Sequence, residues 1–408
     1  MAGEDASLTA FHAASRRAAI AARRDALVET RITTVPLSMR EAGAMIACLS
    51  PNGPIAMHGD AAPTTLAVAT TGGAAILERD GAGRPWRIAR RALPGHHLSS
   101  LLFEPSRGGL FAGAHSGGLY FSGDRGATWA PRSRGISIEH VFSLASVATP
   151  SRVTLYAGTE PVSLFRSLDY GESWHELPAI REVPGMDKWT FPAPPHVAHT
   201  KCLTIDPRNP QVIYAAVEQG ALLKTGDGGS TWREIDSYWR PEDFWYRDIH
   251  RVVQLNRDPD ALYMSTGMGL YRSADAGATW EQLTDRDFRI GYPDHLIASP
   301  DDRVLFMSGG GTDPSVWRTT KAAHGTVMRS EDAGRTWATA DRGLPAEGRV
   351  NFEAMSMAAW PGGFALFLGS TDGAVYCSED GAESWTSIAR GLAPVSKGRH
   401  YANLIAAV

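Results

Sequence analysis

Residues 122–129 read SGDRGATW, and the pattern Ser/Thr-x-Asp-x-Gly-x-x-Trp in this stretch returns along the chain. The further copies begin at Ser167, Thr225, Ser273, Ser330 and Ser378. The copy at Ser378 has Ala382 in place of the glycine, and a degraded copy with one inserted residue runs from Asp80 to Trp86. Aspartate can bond nearby backbone amides and glycine accepts a positive φ, so each copy predicts a tight turn covered by its tryptophan.

The copies are spaced like repeating structural units. Their tryptophans, from Trp86 to Trp385, lie between 43 and 58 residues apart. Upstream of most copies stand two short alternating stretches joined by a glycine-containing turn, as in residues 110–120 and 155–165. Evenly spaced short strands with turn signals predict antiparallel β-sheets repeated along the chain.

These copies resemble the Asp-box (BNR) repeats of β-propellers, which occur in sialidases, sortilin-type receptors and a photosystem assembly factor. The resemblance covers residues 60–408 and implies an all-β, seven-bladed β-propeller with each box between the third and fourth strand of a blade. Residues 400–408 (HYANLIAAV) read as an inner strand without a following blade, so we expect them to close the ring by joining the first blade.

The chain is predicted to have two parts. Residues 1–31 form an N-terminal helical segment, because Leu8, Phe11 and Ala18 fall on one side at helical spacing and arginines fall on another. Residues 32–408 form the propeller.

Composition narrows the class of protein. Lys+Arg is 40 against Asp+Glu 44 in 408 residues, a net charge of −4 that predicts neither nucleic acid nor an anionic membrane as partner. Three cysteines are too few for a disulfide framework. No secretory signal or long apolar run is evident, so a cytoplasmic location is expected.

Histidines recur at similar distances before the boxes. His97, His140, His199 and His250 stand 23 to 27 residues upstream of their boxes, and His295 stands 35 upstream, after allowance for an insertion at residues 309–326. Glu353 takes this position in the sixth repeat, and His400 begins the expected closing strand. The spacing predicts a ring of side chains at one mouth of the central channel.

Converging imidazoles are frequent metal ligands. We expect one transition-metal ion on the axis, with His140, His199, His250 and His295 as favoured ligands and His97 and His400 next. Iron or copper is favoured, with zinc or manganese as alternatives. Glu353 is expected to complete the ligand shell or to act as the catalytic acid/base.

Two long loops rich in aromatic residues enter these strands and could hold a substrate. Trp189, Trp245, Tyr246 and His196 are the expected substrate-binding residues, although the aromatic rings could equally pack against each other. His196 also competes with its neighbour His199 for the ligand position.

The hypothesis that follows is a metal-dependent oxidoreductase, with non-heme iron or copper, acting on a small organic substrate that could be aromatic. A metal-dependent hydrolase or lyase on the same site is one alternative. A sialidase-like glycoside hydrolase is another, but the chain shows no convincing arginine trio for a substrate carboxylate. A non-catalytic binding or assembly propeller is the third.

Overall fold

Alternating apolar residues and glycine-rich turns fold this chain into seven small sheets. The computed structural model describes residues 45–192, 195–239, 247–346, 348–398 and 401–404. In this part of the chain seven sheets of four or five strands form an all-β, seven-bladed β-propeller, as predicted. The predicted N-terminal helical segment, residues 1–31, lies outside the described residues.

The strands follow one another in chain order from the axis outward. Two short strands come first: β1 (Ile46–Leu49) and β2 (Ala56–His58). Blade 1 continues with β3 (Thr65–Thr70), β4 (Gly73–Glu78) and β5 (Arg87–Ala92). Blade 2 contains β6 (Leu98–Glu104), β7 (Gly109–Ala114), β8 (Leu119–Ser122) and β9 (Ala130–Pro131). Blade 3 contains β10 (His140–Thr149), β11 (Arg152–Glu160), β12 (Ser163–Ser167) and β13 (His175–Glu176).

The remaining blades repeat this plan. Blade 4 contains β14 (His199–Ile205), β15 (Ile213–Glu218), β16 (Leu222–Thr225) and β17 (Arg233–Ile235). Blade 5 contains β18 (Ile249–Gln254), β19 (Leu262–Thr266), β20 (Gly269–Ser273) and β21 (Glu281–Gln282). Blade 6 contains β22 (Tyr292–Ala298), β23 (Leu305–Gly310), β24 (Thr326–Ser330) and β25 (Ala338–Thr339). Blade 7 contains β26 (Ala354–Trp360), β27 (Gly363–Gly369), β28 (Val375–Ser378) and β29 (Thr386–Ala389).

Short helices occupy some of the connections. Two 3-10 helices, Pro178–Glu182 and Met186–Lys188, lie between blades 3 and 4. Helix α1 (Pro314–Thr320) is inserted in blade 6, and helix α2 (Tyr401–Leu404) follows blade 7. No helix among the described residues is both long and apolar enough to cross a membrane.

The turn between the third and fourth strand has the same hydrogen bonds in blades 2 to 7. In blade 2 the Ser122 hydroxyl donates to Asp124 (2.8 Å) and accepts from the Gly126 amide (2.8 Å). Asp124 also accepts from the amide and the hydroxyl of Thr128, at 2.8 and 2.6 Å. Together these bonds lower the pKa of Asp124 to about 2. The aspartate therefore stabilises the turn as an anion.

The ring is closed differently from the prediction. Strand β1 occupies the innermost position of blade 1 and runs parallel to β3, while β2 runs parallel to β26 on the inner side of blade 7. Residues 45–58, which we call the N-terminal hairpin, therefore join the first blade to the last; the two strands of this segment pair with different sheets and not with each other. The predicted closing strand at 400–408 is not confirmed, because residues 401–404 are helical and residues 405–408 lie outside the described part.

Candidate functional site

Five inner strands carry one extra residue near their start, and this changes the predicted ring. The extra residues, which interrupt the pairing with the second strand, are Ser99, Phe142, Lys201, His250 and Asp294. His140 and His199 stand two residues before the extra residue, where blades 5 and 6 have Asp248 and Tyr292. His250 and His295 therefore do not share the register of His140 and His199. Counting back from the boxes missed this, because the segments between differ in length.

A cluster of buried charges surrounds the starts of these strands. We call it the axial cluster; its members are Lys201, Glu218, Asp248, His250, Asp294 and Lys397. Each is at most 6% exposed. Strands β14, β15 and β18 supply Lys201, Glu218 and His250, and Asp248 directly precedes β18. The inner strand of blade 6 supplies Asp294, and the segment after blade 7 supplies Lys397.

Glu218 is the centre of the axial cluster. One carboxylate oxygen lies 2.6 Å from His199 Nε2, and the other accepts from Lys201 Nζ and lies 3.6 Å from Lys397 Nζ. Burial by itself would raise the pKa of Glu218, but the two ammonium groups and His199 hold it well below its ordinary value. Glu218 is therefore a paired anion.

Lys397 ties the end of the chain to blades 6 and 7. Its ammonium group lies 2.6 Å from Asp294 Oδ1, and the Asn351 side-chain amide donates to Asp294 Oδ2 (2.7 Å). Tyr292 donates in turn to Asp248 (3.1 Å). Burial would lower the pKa of Lys397, yet the surrounding acids raise it well above its ordinary value. The lysines and acids of the cluster are thus paired with one another.

The four favoured metal ligands do not converge. Among the described residues, the group whose candidate donor atoms lie within 4.8 Å of one another is Glu218, Asp248 and His250. Lys201 and Lys397 point their ammonium groups at the same Glu218 oxygen, so an added cation would meet two positive charges there. That a transition-metal ion binds the protein stays a prediction, and this group does not favour it.

The other predicted ligands lie beside the cluster. His140 has a 44% exposed side chain, with Nδ1 3.4 Å from Glu160. His97 donates from Nε2 to the Ser396 carbonyl (3.0 Å) and stacks on His115 with ring centroids 3.9 Å apart. Tilted contacts of Phe142 with His115 and His199 extend this pair. His97, His115, Phe142 and His199 thus form a row of contacting rings, and His400 lies outside the described residues.

His295 and Glu353 are buried next to the cluster. Neither ring nitrogen of His295 has a hydrogen-bond partner among the described residues, and burial together with Arg251 and the lysines lowers its pKa well below 6.5. Glu353 accepts from the Ser396 hydroxyl (2.6 Å) and the Lys397 amide (3.0 Å). Burial, followed by the charge of Asp294, raises the pKa of Glu353. Glu353 is fully buried, so it does not face solvent as a catalytic acid would.

The predicted substrate-binding residues are only partly described. Trp189 is half-buried and packs against the apolar core of blade 4. His196 is exposed and bonds the Phe191 carbonyl (2.9 Å) within its own loop. Trp245 and Tyr246 lie outside the described residues. The position of Trp189 agrees with the alternative interpretation, in which the aromatic rings pack inside the protein and do not bind a substrate.

The axis beside the cluster is occupied by the chain itself. The tip of the N-terminal hairpin presents its carbonyls to the fully buried Arg251, whose guanidinium donates to Gly53 (3.2 Å) and Pro51 (2.7 Å). The backbone N–H of Asn52 donates to the Ser99 carbonyl (3.0 Å). Sequence reasoning missed both Arg251 and Glu218, although a charged residue in an apolar strand was the available signal.

Known proteins similar to this chain fall into two groups. The sequence matches no protein-family model. A xyloglucanase of a Paenibacillus species is 24% identical over 348 residues, covering 74% of this chain and 32% of the xyloglucanase. The photosystem II assembly lipoprotein Ycf48 of Synechococcus sp. (strain CC9902) is 24% identical over 307 residues, covering 74% of this chain and 78% of Ycf48. The chain thus spans about a third of the length of the xyloglucanase.

Solved structures repeat this division. An ancestral GH74 enzyme has a TM-score of 0.55 at 17% identity, covering 69% of this chain and 36% of the enzyme. A structure of YCF48 bound to D1 peptide has a TM-score of 0.50 at 15% identity, covering 78% of this chain and 97% of that one. At such identities the likeness shows the propeller fold alone.

These similarities overturn the predicted function. The relatives are xyloglucanases and an assembly lipoprotein, and none of those compared is described as a metal-dependent oxidoreductase. The hypothesis of an iron or copper oxidoreductase is therefore wrong, and with it the preference for an oxidoreductase over other enzymes. The predicted small-molecule substrate agrees only coarsely with these relatives. One is named as an enzyme acting on a polysaccharide, and the YCF48 structure contains a bound peptide.

Proposed function

We propose that this protein is a non-catalytic propeller that binds a polypeptide of a partner protein at the face carrying the axial cluster. The main observation behind this proposal is that the acids and bases at this face are buried and already paired with one another. Glu218 and Asp294 pair with Lys201 and Lys397 in a neutral network that gives the ring a fixed shape. A rigid ring whose charged groups are already paired is suited to binding rather than to proton transfer.

The alternative, glycoside hydrolysis, has a specific requirement. Two carboxyl groups must flank the glycosidic bond, one to protonate the leaving oxygen and one to activate water or attack the sugar. The residues Glu218, Asp248, Asp294 and Glu353 are each at most 6% exposed, and their carboxyl groups are held by side chains or backbone amides. A polysaccharide chain cannot reach them in this conformation.

Chain coverage favours the same conclusion. The alignment takes in 78% of the Synechococcus Ycf48 but 32% of the Paenibacillus xyloglucanase. A related propeller, YCF48, has been solved with a peptide. On this proposal the present chain is comparable in extent to an assembly propeller, and its partner is a polypeptide.

The rim of this face offers suitable contacts. His140 is 44% exposed, and the half-buried rings of His97, His115 and Phe191 lie near it. Aromatic and imidazole side chains supply contact area together with a polar edge, which is typical of protein interfaces.

Site-specific crosslinking tests this proposal. A photoreactive amino acid at His140 should crosslink the protein to a discrete polypeptide in extracts of its own source, identified by mass spectrometry at the crosslinked peptide. The same group at Arg107, exposed at the opposite end of blade 2, is the control and should give no such product.

A hydrolase assay decides the alternative. Purified protein incubated with xyloglucan should release no reducing ends. Release that disappears in a Glu353→Gln variant that still folds would establish glycoside hydrolysis and overturn the proposal.

A further inference from the structure

The seam between blades 7 and 1 differs from the other seams of the propeller. In blades 2 to 6 the glycine of the box turn packs against the preceding blade; a Cβ added at Gly229, for example, would lie 2.7 Å from Leu177. In blade 1 a Cβ added at Gly83 would meet nothing within 4 Å. The degraded box, with Glu78 two residues before Asp80 instead of a serine, therefore leaves open space beside Gly83.

A cleft of about 540 Å³ lies along this seam. One wall is the turn of blade 1, with Arg79, Arg84 and Trp86, and the other is the box turn and outer strand β29 of blade 7, with Glu379 and Thr386. The volume falls within the range of small-molecule sites, about 300–1,000 Å³. The seam is thus a concave site on the outer rim, separate from the axial cluster.

Arg79 is the fixed element of the cleft. Its side chain is 1% exposed, donates from Nε to the Pro63 carbonyl (2.9 Å) and pairs through Nη1 with Glu379 (2.8 Å). The guanidinium lies over the Trp86 ring at 4.6 Å, so both side chains are held in place. Nη2 is a buried donor that has no hydrogen-bond partner among the described residues. Burying a donor without an acceptor costs free energy of folding.

The lining favours a neutral ligand rich in hydroxyl groups. Arg79 and Arg84 are balanced by Glu379 and Asp380, and Asp380 is already bonded within its own turn. A balanced lining attracts neither a strong anion nor a strong cation. Donors and acceptors beside apolar surface from Trp86 and Ile388 match the alternating polar and apolar faces of a sugar ring.

We infer that this seam cleft binds a saccharide, with Trp86 as its apolar wall and with Arg84, Glu379 and Thr386 as its exposed polar contacts. The inference does not rest on the proposed function, because it concerns the outer rim and not the face of the axial cluster. It assigns no hydrolysis to the cleft: the site holds a sugar without cleaving it.

Saturation-transfer NMR on the full chain tests this inference. Cellohexaose, xylohexaose and maltohexaose are the probes, and at least one should receive saturation with a Kd on the order of 1 mM or tighter. Trp86→Ala should weaken binding at least tenfold. Trp239→Ala, which removes an exposed ring elsewhere, is the matched control and should leave binding unchanged.

A second variant guards against a folding defect in Trp86→Ala. Thr386 is exposed at the lip of the cleft, so Thr386→Trp obstructs the cleft while leaving its other contacts in place. It should abolish saccharide binding with an unchanged melting temperature. Binding that survives Thr386→Trp, no transfer to any of the three probes, or displacement of the saccharide by hexaglutamate would each overturn the inference, the last in favour of an acidic polypeptide.

Discussion

Glu218 is a buried carboxylate that contacts nitrogen-bearing side chains from separate parts of the chain. His199 and Lys201 reach it from the same blade, and Lys397 reaches it from the segment after blade 7. Replacing a whole buried ion pair by apolar groups can be neutral, but removing one partner leaves the other charge buried and uncompensated. This asymmetry makes single substitutions in the axial cluster informative.

Glu218→Gln is expected to lower the free energy of unfolding by about 3–5 kcal/mol, because Lys201 and Lys397 lose their shared anion. Denaturant unfolding followed by tryptophan fluorescence measures the change. Glu139→Gln, at an exposed position near the same face, should change stability by about 0.5 kcal/mol or less. Equal effects of the two substitutions would contradict the role of the cluster.

Gly53 is required by a close approach at the hairpin tip. A Cβ at this position would lie 2.4 Å from Ser50 Oγ and 2.5 Å from the Leu101 carbonyl. Gly53→Ala should therefore cost about 1–3 kcal/mol of stability, as overpacking does. Gly226→Ala is the control, because a Cβ there meets nothing within 4 Å; a loss of the same size in both variants would argue against crowding.

At the scale of elements, the N-terminal hairpin closes the ring, which was the role expected of residues 400–408. Strand β1 lies parallel to β3 and β2 lies parallel to β26, whereas the inner strands of blades 2 to 6 are antiparallel to their neighbours. Its residues are buried and belong to the core shared by blades 1, 2 and 7. The hairpin is held at its tip by Arg251 from the far side of the ring.

Arg251→Met is expected to loosen the hairpin more than any blade. The substitution leaves the Pro51 and Gly53 carbonyls without their donor in a buried place. Hydrogen exchange followed by mass spectrometry should speed up at least tenfold in peptides from residues 46–57. Peptides from strand β12 of blade 3 are the internal reference, and uniform acceleration across both would contradict the assignment.

The aspartates of the box turns should make the free energy of unfolding depend on pH. Asp227 has a folded pKa of about 2 against an ordinary value of 3.8, owing first to the Thr231 hydroxyl and amide and then to Thr225. Between these values the unfolded chain binds more protons, so the contribution is complete above about pH 4 and is lost as the pH falls toward 2. Asp227→Asn should therefore be less stable than the native protein at about pH 6, and this gap should narrow toward about pH 3. Thermal melts at both pH values measure it, and a gap independent of pH would count against an ionised turn.

For the whole molecule, two segments far apart in sequence complete one ring. The hairpin pairs with blades 1 and 7, and residues 391–397 cross the same seam, where the Thr71 amide donates to the Pro394 carbonyl (2.9 Å). Lys397 then enters the axial cluster. Ring closure and the charge network are therefore coupled, and the face proposed for partner binding depends on both.

Two truncated chains distinguish the contribution of Lys397 to ring closure from that of helix α2. A chain ending after Gly398 keeps Lys397 and the seam contacts and loses helix α2, including Leu404, which packs with Tyr292 and Trp317. It should remain soluble and folded by circular dichroism. A chain ending after Pro394 loses Lys397 and should unfold or aggregate; equal behaviour of both truncations would show that the axial cluster does not hold the ring.

The sequence by itself determined the blades and their number. Each box turn is made by hydrogen bonds within eight consecutive residues, as between Ser122, Asp124 and Thr128, so its pattern is visible without any tertiary information. The same holds for the short strands before each turn, whose apolar alternation predicts a sheet. Seven repeats of such a unit bury their faces by standing side by side in a ring.

Only the tertiary structure decided how the ring closes and what lies on its axis. Lys397 and Asp294 are 103 residues apart, and Arg251 stands 198 residues from Gly53, so no local pattern links them. Measured from the extra residue that each of these inner strands carries, His250 and His295 stand two and three residues later than His140 and His199, which is why regular spacing of histidines did not produce a ring of ligands. A strand reverses its exposed face with each residue, and a count along the chain cannot detect a single-residue bulge.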